Sequence, residues 1–538
     1  MILSPAKRLP WTLICSGLIL FLAWQMFCRL PPPRVGDGGE YYLMTIALAE
    51  KFQPFGDPEI DRIYDSYCSN SDGSFPTSKQ INKASADLSV RVKPTETGPI
   101  TFQQDYPHFW FYSLMASPFY LFAKVTGVDI SHSFSLLHLI LFGLLLVIAE
   151  KEFGRRGIVL AAMICLASPL LWFIDKAHTE FFTVALGTIG VIYQLKHKSS
   201  YAFLAFCIIA TQNPPFGLVA MFVLVEGMLR KKADRETRSL ANVSVIALGL
   251  GILALHPLYY QLRHGSLTPQ LITGAASSSS KGIRELTCFV IDPDVGLISN
   301  WPWIVVPIIS VAIYALWTRQ SIQWRTVSFC AISLFILAWA QTKTNNFNHG
   351  GTVKISRYAL WYIPFLLPLL LQFASNYRMV PAWQRVAVYG FLAAALAINT
   401  IKFHPVRKES FLYQTTIAEN LYNNFPELYD PVPEIFIERC IRAELPTKAW
   451  AVSNRSGTKI IVHRGRLRKQ QISQRKGRPI DPILGGNHLI DPIKLVEHIN
   501  SNVELPESLD WFYVNAPGDL QRNERINVAE AQSNYPKR

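Results

Sequence analysis

Two carboxylates, Asp37 and Glu40, stand three residues apart in Gly36-Asp37-Gly38-Gly39-Glu40-Tyr41, ahead of an apolar run with helical spacing (Tyr41, Met44, Leu48). A helix starting at Gly38 puts both acids at its N-terminal end and on one side. Two readings compete. Asp37 as N-cap with Glu40 at N3 is a variant of the capping box. The other is a site that takes a proton or holds a cation. That reading accounts for Gly38 and Gly39, which cost a first turn on the order of 1 kcal/mol each against Ala and suit a backbone that must be approached closely.

A second set is Asp175, Lys176, His178 and Glu180 in WFIDKAHTEFF, between two apolar runs. Ionisable groups at a membrane boundary are costly unless solvated or paired, and they often line functional cavities. A plain solvated turn is the alternative. Asp105 and His108 form a third pair, read either as acceptor or interface residues or as loop charges at a water–lipid border. Candidate phosphate-binding cations are Lys281 and Arg284, after the Ser277–Ser280 run, and Lys343, Lys354 and Arg357. The last three flank His349-Gly350-Gly351, a turn whose amides could face a phosphate. Arg357 opens an apolar run, so snorkelling to headgroups is its other reading. His132 and His138 lie within an apolar run, too far from a third ligand to argue for a metal, and read as packed or helix-bonded. His463–Arg478 is the most basic stretch. It reads as a solvated hairpin or mobile loop, or as a dock for an anionic lipid surface or polysaccharide.

The elements that must position these groups are membrane spans. Of 538 residues, 50% are hydrophobic and only 17% charged, and the charges collect between long uncharged runs. Such runs approach the roughly 20 residues that cross a bilayer. The chain reads as mainly α, a polytopic transmembrane bundle. The first run, 10–29, follows Lys7 and Arg8 without a small-residue cleavage site, so it reads as an uncleaved anchor. Of the eight cysteines, Cys68, Cys288 and Cys440 fall outside the apolar runs, without metal-ligand spacing, and allow one disulfide among them but no disulfide framework. A net charge of +14 suits anionic headgroups or phosphates. Sidedness argues against nucleic acid.

Orientation follows from the short basic loops at 150–157, 196–200, 230–238, 319–325 and 376–385, placed in the cytoplasm with Lys7 and Arg8. That threading requires 107–127, aromatic and broken by Pro118, to lie at the outer interface rather than cross. The expected spans are 10–29, 132–149, 157–174, 181–195, 201–213, 215–229, 239–258, 301–318, 326–341, 358–375 and 384–401, about eleven crossings. The N-terminus is then cytoplasmic and the C-terminus outside. The acidic clusters, the first large outer loop (30–131) and the loops at 259–300 and 342–357 share the outer face. Residues 1–401 form the membrane domain. Residues 402–538 hold no spanning run and read as a small extracytoplasmic α/β domain, with helices at 409–424 and 491–499 and strands at 459–463 and 509–514.

This pattern resembles the GT-C superfamily of integral-membrane glycosyltransferases, which includes protein O-mannosyltransferases and the lipid A aminoarabinose transferase. The matching features are the first span, the acidic motif opening the first outer loop, and His108-Phe109-Trp110 in the interfacial segment. The acidic turn at Asp175–Glu180, the glycine-rich loop at His349–Gly351, and Arg357-Tyr358 running into a span with Pro364 and Pro368 complete the likeness. Family members often carry adjacent acids, or acids one residue apart, whereas Glu40 is three positions from Asp37.

The resemblance implies an inverting, single-displacement transfer of a sugar from a polyprenyl phosphate to a hydroxyl of a lipid, glycan or protein, in the plasma (inner) membrane. Asp37, Glu40, Asp175, His178 and Glu180 are then the catalytic candidates, with Asp37 as base. Arg357, Lys354, His349, Lys281 and Arg284 are the candidates for the donor phosphate. A divalent ion (Mg or Mn) held by Asp37 and Asp175 is a further option. The rival functions are a transporter or flippase for lipid-linked saccharides, which should show repeated halves and charges at mid-membrane, and a non-catalytic envelope polysaccharide scaffold.

Overall fold

The computed structural model describes residues 16, 17, 20, 36–68, 76–92, 101–229, 240–276, 282–318, 324–348, 353–376, 382–444, 449–476, 478–485, 490–503 and 510–515. The expected first span 10–29 (apart from residues 16, 17 and 20), Ser277–Ser280, Lys281, His349, Gly350 and Gly351 lie outside these residues, as does the basic loop 230–238. The chain divides into two compact units. The first comprises Met1–Lys281, Trp301–Asn345 and Arg357–Lys408, and the second Gly282–Asn300, Asn346–Ser356 and Glu409–Arg538. The second therefore takes two segments from between the membrane helices in addition to the tail.

The first unit is mainly helical. Its opening helix, α1 (Gly38–Lys51), is buried from Gly38 to Leu48 except at Glu40 and ends at Phe52 in the left-handed region (φ 53°), where Phe52 N–H donates to the Leu48 carbonyl and Gln53 N–H to that of Ala47. Helix α2 (Phe111–Thr126) runs through Pro118 and covers α1. Ser113 Oγ donates to the Tyr41 carbonyl at 3.0 Å, and Tyr120 and Lys124 hold Glu50 at 2.8 and 2.5 Å. The face of α2 with Leu114, Leu121, Phe122 and Val125 is exposed. Between α1 and α2, strands β1 (Ser89–Val92) and β2 (Thr101–Gln104) pair antiparallel, with Ser89 opposite Gln104.

The bundle follows as α3 (Ser133–Phe153), α4 (Arg155–Leu166), α5 (Thr179–Leu195), α6 (Ser199–Ala210), α7 (Pro215–Met228) and α8 (Leu240–His264). Among the described residues, four helices are long and apolar enough to cross a bilayer: Ile130–Phe153, Ala241–His264, Trp324–Gln341 and Arg357–Ser375. Shorter apolar helices include Thr179–Leu195, Ser199–Ala210 and Pro215–Met228. The chain is thus a multi-pass, mainly helical membrane protein. The expected span 157–174 is not one helix. The α-helix ends at Leu166, and after Ser168, whose side chain accepts from Leu170 N–H, a 3-10 turn covers Pro169–Phe173. Proline cannot continue the hydrogen-bond ladder, and a serine before it offers the freed amides an acceptor.

The run after Arg357 starts as a 3-10 helix, Arg357–Leu366, before turning α at Leu367–Asn376. It seats against α5 through small residues. A Cβ on Gly187 would come within 2.9 Å of Pro364 Cγ, and on the side of α5 that meets α6 one on Gly190 would come within 2.9 Å of Phe206 Cζ. Glycine at these positions is what lets the backbones approach.

The second unit is α/β. Strands β3 (Ala451–Ser453), β4 (Lys459–His463) and β5 (Trp511–Asn515) form an antiparallel sheet in that order. Alternation along the strands sends Ile460, Val462, Phe512 and Val514 to one face with Leu467, Leu495, Val496 and Ile499, and Val452 and Ile461 to the other with Ala418, Tyr422, Phe436 and Ile437. The expected helix 409–424 starts only at Thr416, where the Thr415 hydroxyl caps Ala418 N–H. The basic run read as a hairpin or mobile loop is instead a helix, Arg464–Arg475.

Candidate active site

The side chain of Asp37 caps nothing. It occupies the N-cap position of α1, but its backbone is at φ −76°, ψ 4° and its carboxylate makes no cap hydrogen bond, so the capping-box reading fails. The carboxylate turns to a guanidinium 320 residues away. Arg357 Nη1 donates to Asp37 Oδ2 at 2.9 Å. His108 bridges the two acids of the motif, with Nε2 3.4 Å from Asp37 Oδ2 and Nδ1 2.7 Å from Glu40 Oε2. Both ring nitrogens face carboxylates, an arrangement that imidazolium satisfies as a double donor. Burial opposes the charge on His108, but Asp37 and Glu40 outweigh it and hold the imidazole pKa above its ordinary value. Burial raises the Glu40 carboxyl as well, against the pull of His108. The Tyr41 ring lies 5.0 Å from His108 and edge-on to Tyr112 at 5.2 Å.

The second acidic turn arrives on the other side of Arg357. His178 Nδ1 accepts from Arg357 Nη1 at 3.0 Å, and Glu180 Oε1 lies 3.6 Å from Arg357 Nε. Because His178 Nδ1 is the acceptor, its proton belongs on Nε2. Glu180 Oε2 is 3.4 Å from the same Nδ1 and gains no hydrogen bond there among the described residues. Snorkelling does not describe Arg357, whose side chain is 6% exposed.

The 172–178 turn is held from several sides. His138 Nδ1 donates to the Ile174 carbonyl at 2.9 Å, which leaves Nε2 to accept from the Tyr112 hydroxyl at 2.8 Å. Ser135 Oγ donates to the Asp175 carbonyl at 3.3 Å. Lys176, fully buried, bonds the Asp175 carboxylate and donates to the Pro405 carbonyl at 2.7 Å beneath the Trp172 ring. Burial raises the Asp175 carboxyl, with Lys176 opposing.

Asp37, Glu40, His108, His178, Glu180 and Arg357 therefore come together, while the Asp175 carboxylate is engaged by Lys176. Asp105 is separate from His108's cluster. It receives Tyr259 Oη (2.6 Å), Arg263 Nε (2.6 Å) and His264 Nε2 (2.7 Å) and ties the end of β2 to the end of α8. Arg284 and Lys354 belong to the second unit. Arg284 pairs with Glu285 at 3.2 Å, and Lys354 Nζ donates to the Gln414 carbonyl at 3.0 Å. Sequence reading missed the bridging place of His108. The signal available was its position, with Asp105, just before the interfacial helix.

Asp37 already faces Arg357 and His108, and Asp175 faces Lys176. Among the described residues no group of three or more His, Cys, Asp and Glu side chains could hold a metal ion.

No family model and no curated protein matches the chain. Among solved structures, the crystal structure of ArnT from Cupriavidus metallidurans bound to undecaprenyl phosphate is similar over 74% of this chain and 65% of that one, at 11% identity and a TM-score of 0.38. The chain thus matches just under two thirds of that protein's length. A likeness of that extent assigns no residue a role here.

Proposed function

We propose that the protein is a GT-C-type glycosyltransferase that moves a sugar from a polyprenyl-phosphate donor to a hydroxyl on the outer face of the membrane, with inversion. The observation that carries the reading is the convergence on Arg357 of two acidic motifs far apart in sequence, Asp37 with Glu40 and His178 with Glu180, joined by His108. An acceptor hydroxyl gains typically 10²–10⁴-fold from a positioned base, and a departing phosphate needs charge stabilisation rather than an acid.

In this reading Asp37 takes the hydroxyl proton. The acceptor oxygen bonds to the anomeric carbon as the bond from that carbon to the phosphate oxygen breaks, and the electron pair leaves with the polyprenyl phosphate. Arg357 is the cation at hand. A phosphate that engages its guanidinium would loosen the hold on Asp37 and leave that carboxylate a better base. Each acid of the expected ion site already has a cation of its own, so this reading routes no step through a metal. Transfer by purified protein in EDTA should match that in Mg²⁺, and loss of turnover on chelation, restored by Mg²⁺ or Mn²⁺, would refute that part.

Lipid extracts from cells lacking the protein test the function. Accumulated polyprenyl-phosphate sugar beside an unmodified glycan, lipid or protein is the expected result. A lipid-linked saccharide trapped on the cytoplasmic face would instead indicate a flippase, and an unchanged pool would exclude both.

A further inference from the structure

The helix Arg464–Arg475 of the second unit carries a face that no contact among the described residues explains. Residues 464–476 contain no acid. At 100° per residue, Arg468, Lys469, Ile472, Arg475 and Lys476 fall within about 120° of the circumference, and all five are exposed, with Ile472 52% accessible. The opposite side is buried through Leu467 and Gln470. Arg466 is drawn inward, donating to the Ala449 carbonyl at 2.7 Å with its guanidinium over Trp511. The ion pairs described in this unit join Arg284 to Glu285, Arg439 to Asp294 and Lys459 to Asp430, and none takes up a cation of the stripe. The C-terminal position of Arg475 and Lys476 suits the helix dipole, but Arg468 and Lys469 have no such reason.

We infer that this stripe docks on the anionic headgroups of the bilayer in which the protein is embedded. Cations flanking an exposed isoleucine are the pattern of a helix lying at the headgroup–acyl boundary, where the apolar side chain adds to the electrostatic attraction. A polysaccharide surface would leave the isoleucine unexplained. Chain connectivity keeps the unit at the membrane. Ser356 directly precedes the candidate span Arg357–Ser375, and Asn346 follows the span Trp324–Gln341 by only a few residues.

The test uses the full chain in nanodiscs of phosphatidylcholine alone or enriched in phosphatidylglycerol, read by hydrogen exchange over 464–476. Each basic side chain at an anionic surface is worth about 5-fold in docking. Exchange should slow by on the order of tenfold in the anionic discs and recover at high salt. The variant Arg468→Gln/Lys469→Gln/Arg475→Gln/Lys476→Gln should lose the difference while strand 459–463 exchanges as before. If that variant does not fold, the salt titration of the wild type decides. Equal exchange in both discs would overturn the inference. So would slowing that appears only on adding dextran sulfate, whatever the lipid, which would mark the stripe as a polysaccharide site.

Discussion

Replacing Asp37 with Asn separates the readings of the first motif. A pure N-cap would tolerate Asn with little loss of stability and full activity. The observed contacts predict otherwise. Asp37 accepts a charge-assisted bond from the buried Arg357 at 2.9 Å and faces His108 at 3.4 Å. Hydrogen bonds to charged groups are worth about 1.5–3 kcal/mol. Asn keeps one acceptor oxygen but not the charge, and Arg357 retains Glu180 at 3.6 Å and His178 at 3.0 Å, so a loss of about 1–2 kcal/mol is expected. Turnover should fall by about 10²-fold or more, because an amide cannot take the hydroxyl proton. Glu40→Gln should be milder, since a glutamine oxygen can still accept from His108 Nδ1. Asp37→Asn and Arg357→Gln should be non-additive in stability, as partners in one network are. The assay is transfer rate with detergent-solubilised melting for the single and double variants. Near wild-type turnover and an unchanged melting point for Asp37→Asn would refute both the catalytic role and the ion pair.

Gly187→Ala should cost about 1–3 kcal/mol and lower turnover, because the new methyl pushes on Pro364 in the 3-10 run that carries Arg357. Gly251→Ala, with open space around it, is the control for melting and rate. In the second unit, buried Asp292 accepts from Asp294 N–H, Val295 N–H and Tyr429 Oη, and burial with Asp294 nearby pushes its pKa up to about 6. The folded form then holds a proton that the unfolded form releases near pH 4, so stability falls as pH rises from about 4 to 6 and stays lower above. Hydrogen exchange of this unit should follow that course, and Asp292→Asn should flatten much of it. A fragment of residues 402–538 alone should fail to give a dispersed, cooperative fold. It lacks Asp294 and Asn348, which hold Arg439, and the backbone amides of Phe347 and Asn348, which satisfy Glu434. Stripping one partner from a buried charge pair costs about 3–5 kcal/mol, and a folded fragment would show those contacts to be dispensable.

How far the sequence could be read depended on whether a feature was local. Long uncharged runs made the helical membrane character plain, and the acids and Arg357 stood out because charges at the ends of such runs need a reason. Strand 459–463 was legible from a short β-branched run. The Asp37–Glu40 spacing was ambiguous in principle, since a cap and a site can share one pattern and only the partner decides. That partner, Arg357, is separated by most of the membrane domain. The break in 157–174 was written in Ser168-Pro169 but hidden by unbroken hydropathy. The Arg464–Arg475 helix buries only Leu467 and Gln470, too little apolar periodicity to announce itself. The second unit's use of 282–300 and 346–356 rests on pairings such as Asp294 with Arg439, which no local pattern encodes.

The charge balance of the cluster leads to one more expectation. The side chains brought together include three carboxyl groups, Asp37, Glu40 and Glu180, around the guanidinium of Arg357 and the imidazole of His108. Such a set does not by itself draw in a phosphate, because an added anion must compete with acids already seated on the same cation. Arg284 and Lys354 are committed to Glu285 and to the Gln414 carbonyl. Of the cations singled out in the sequence, Lys343 is, with Arg357, a described one in the first unit, its ammonium 5.7 Å from the centre of the Trp339 ring. Lys343→Gln should raise the donor KM several-fold and leave kcat nearly unchanged, since a charge that serves capture acts on the ground state and transition state alike. Donor titrations with wild type and variant at fixed acceptor measure this, with a shared melting point as the control for folding. A donor KM that does not move would mean that Arg357, released from Asp37, carries the phosphate alone.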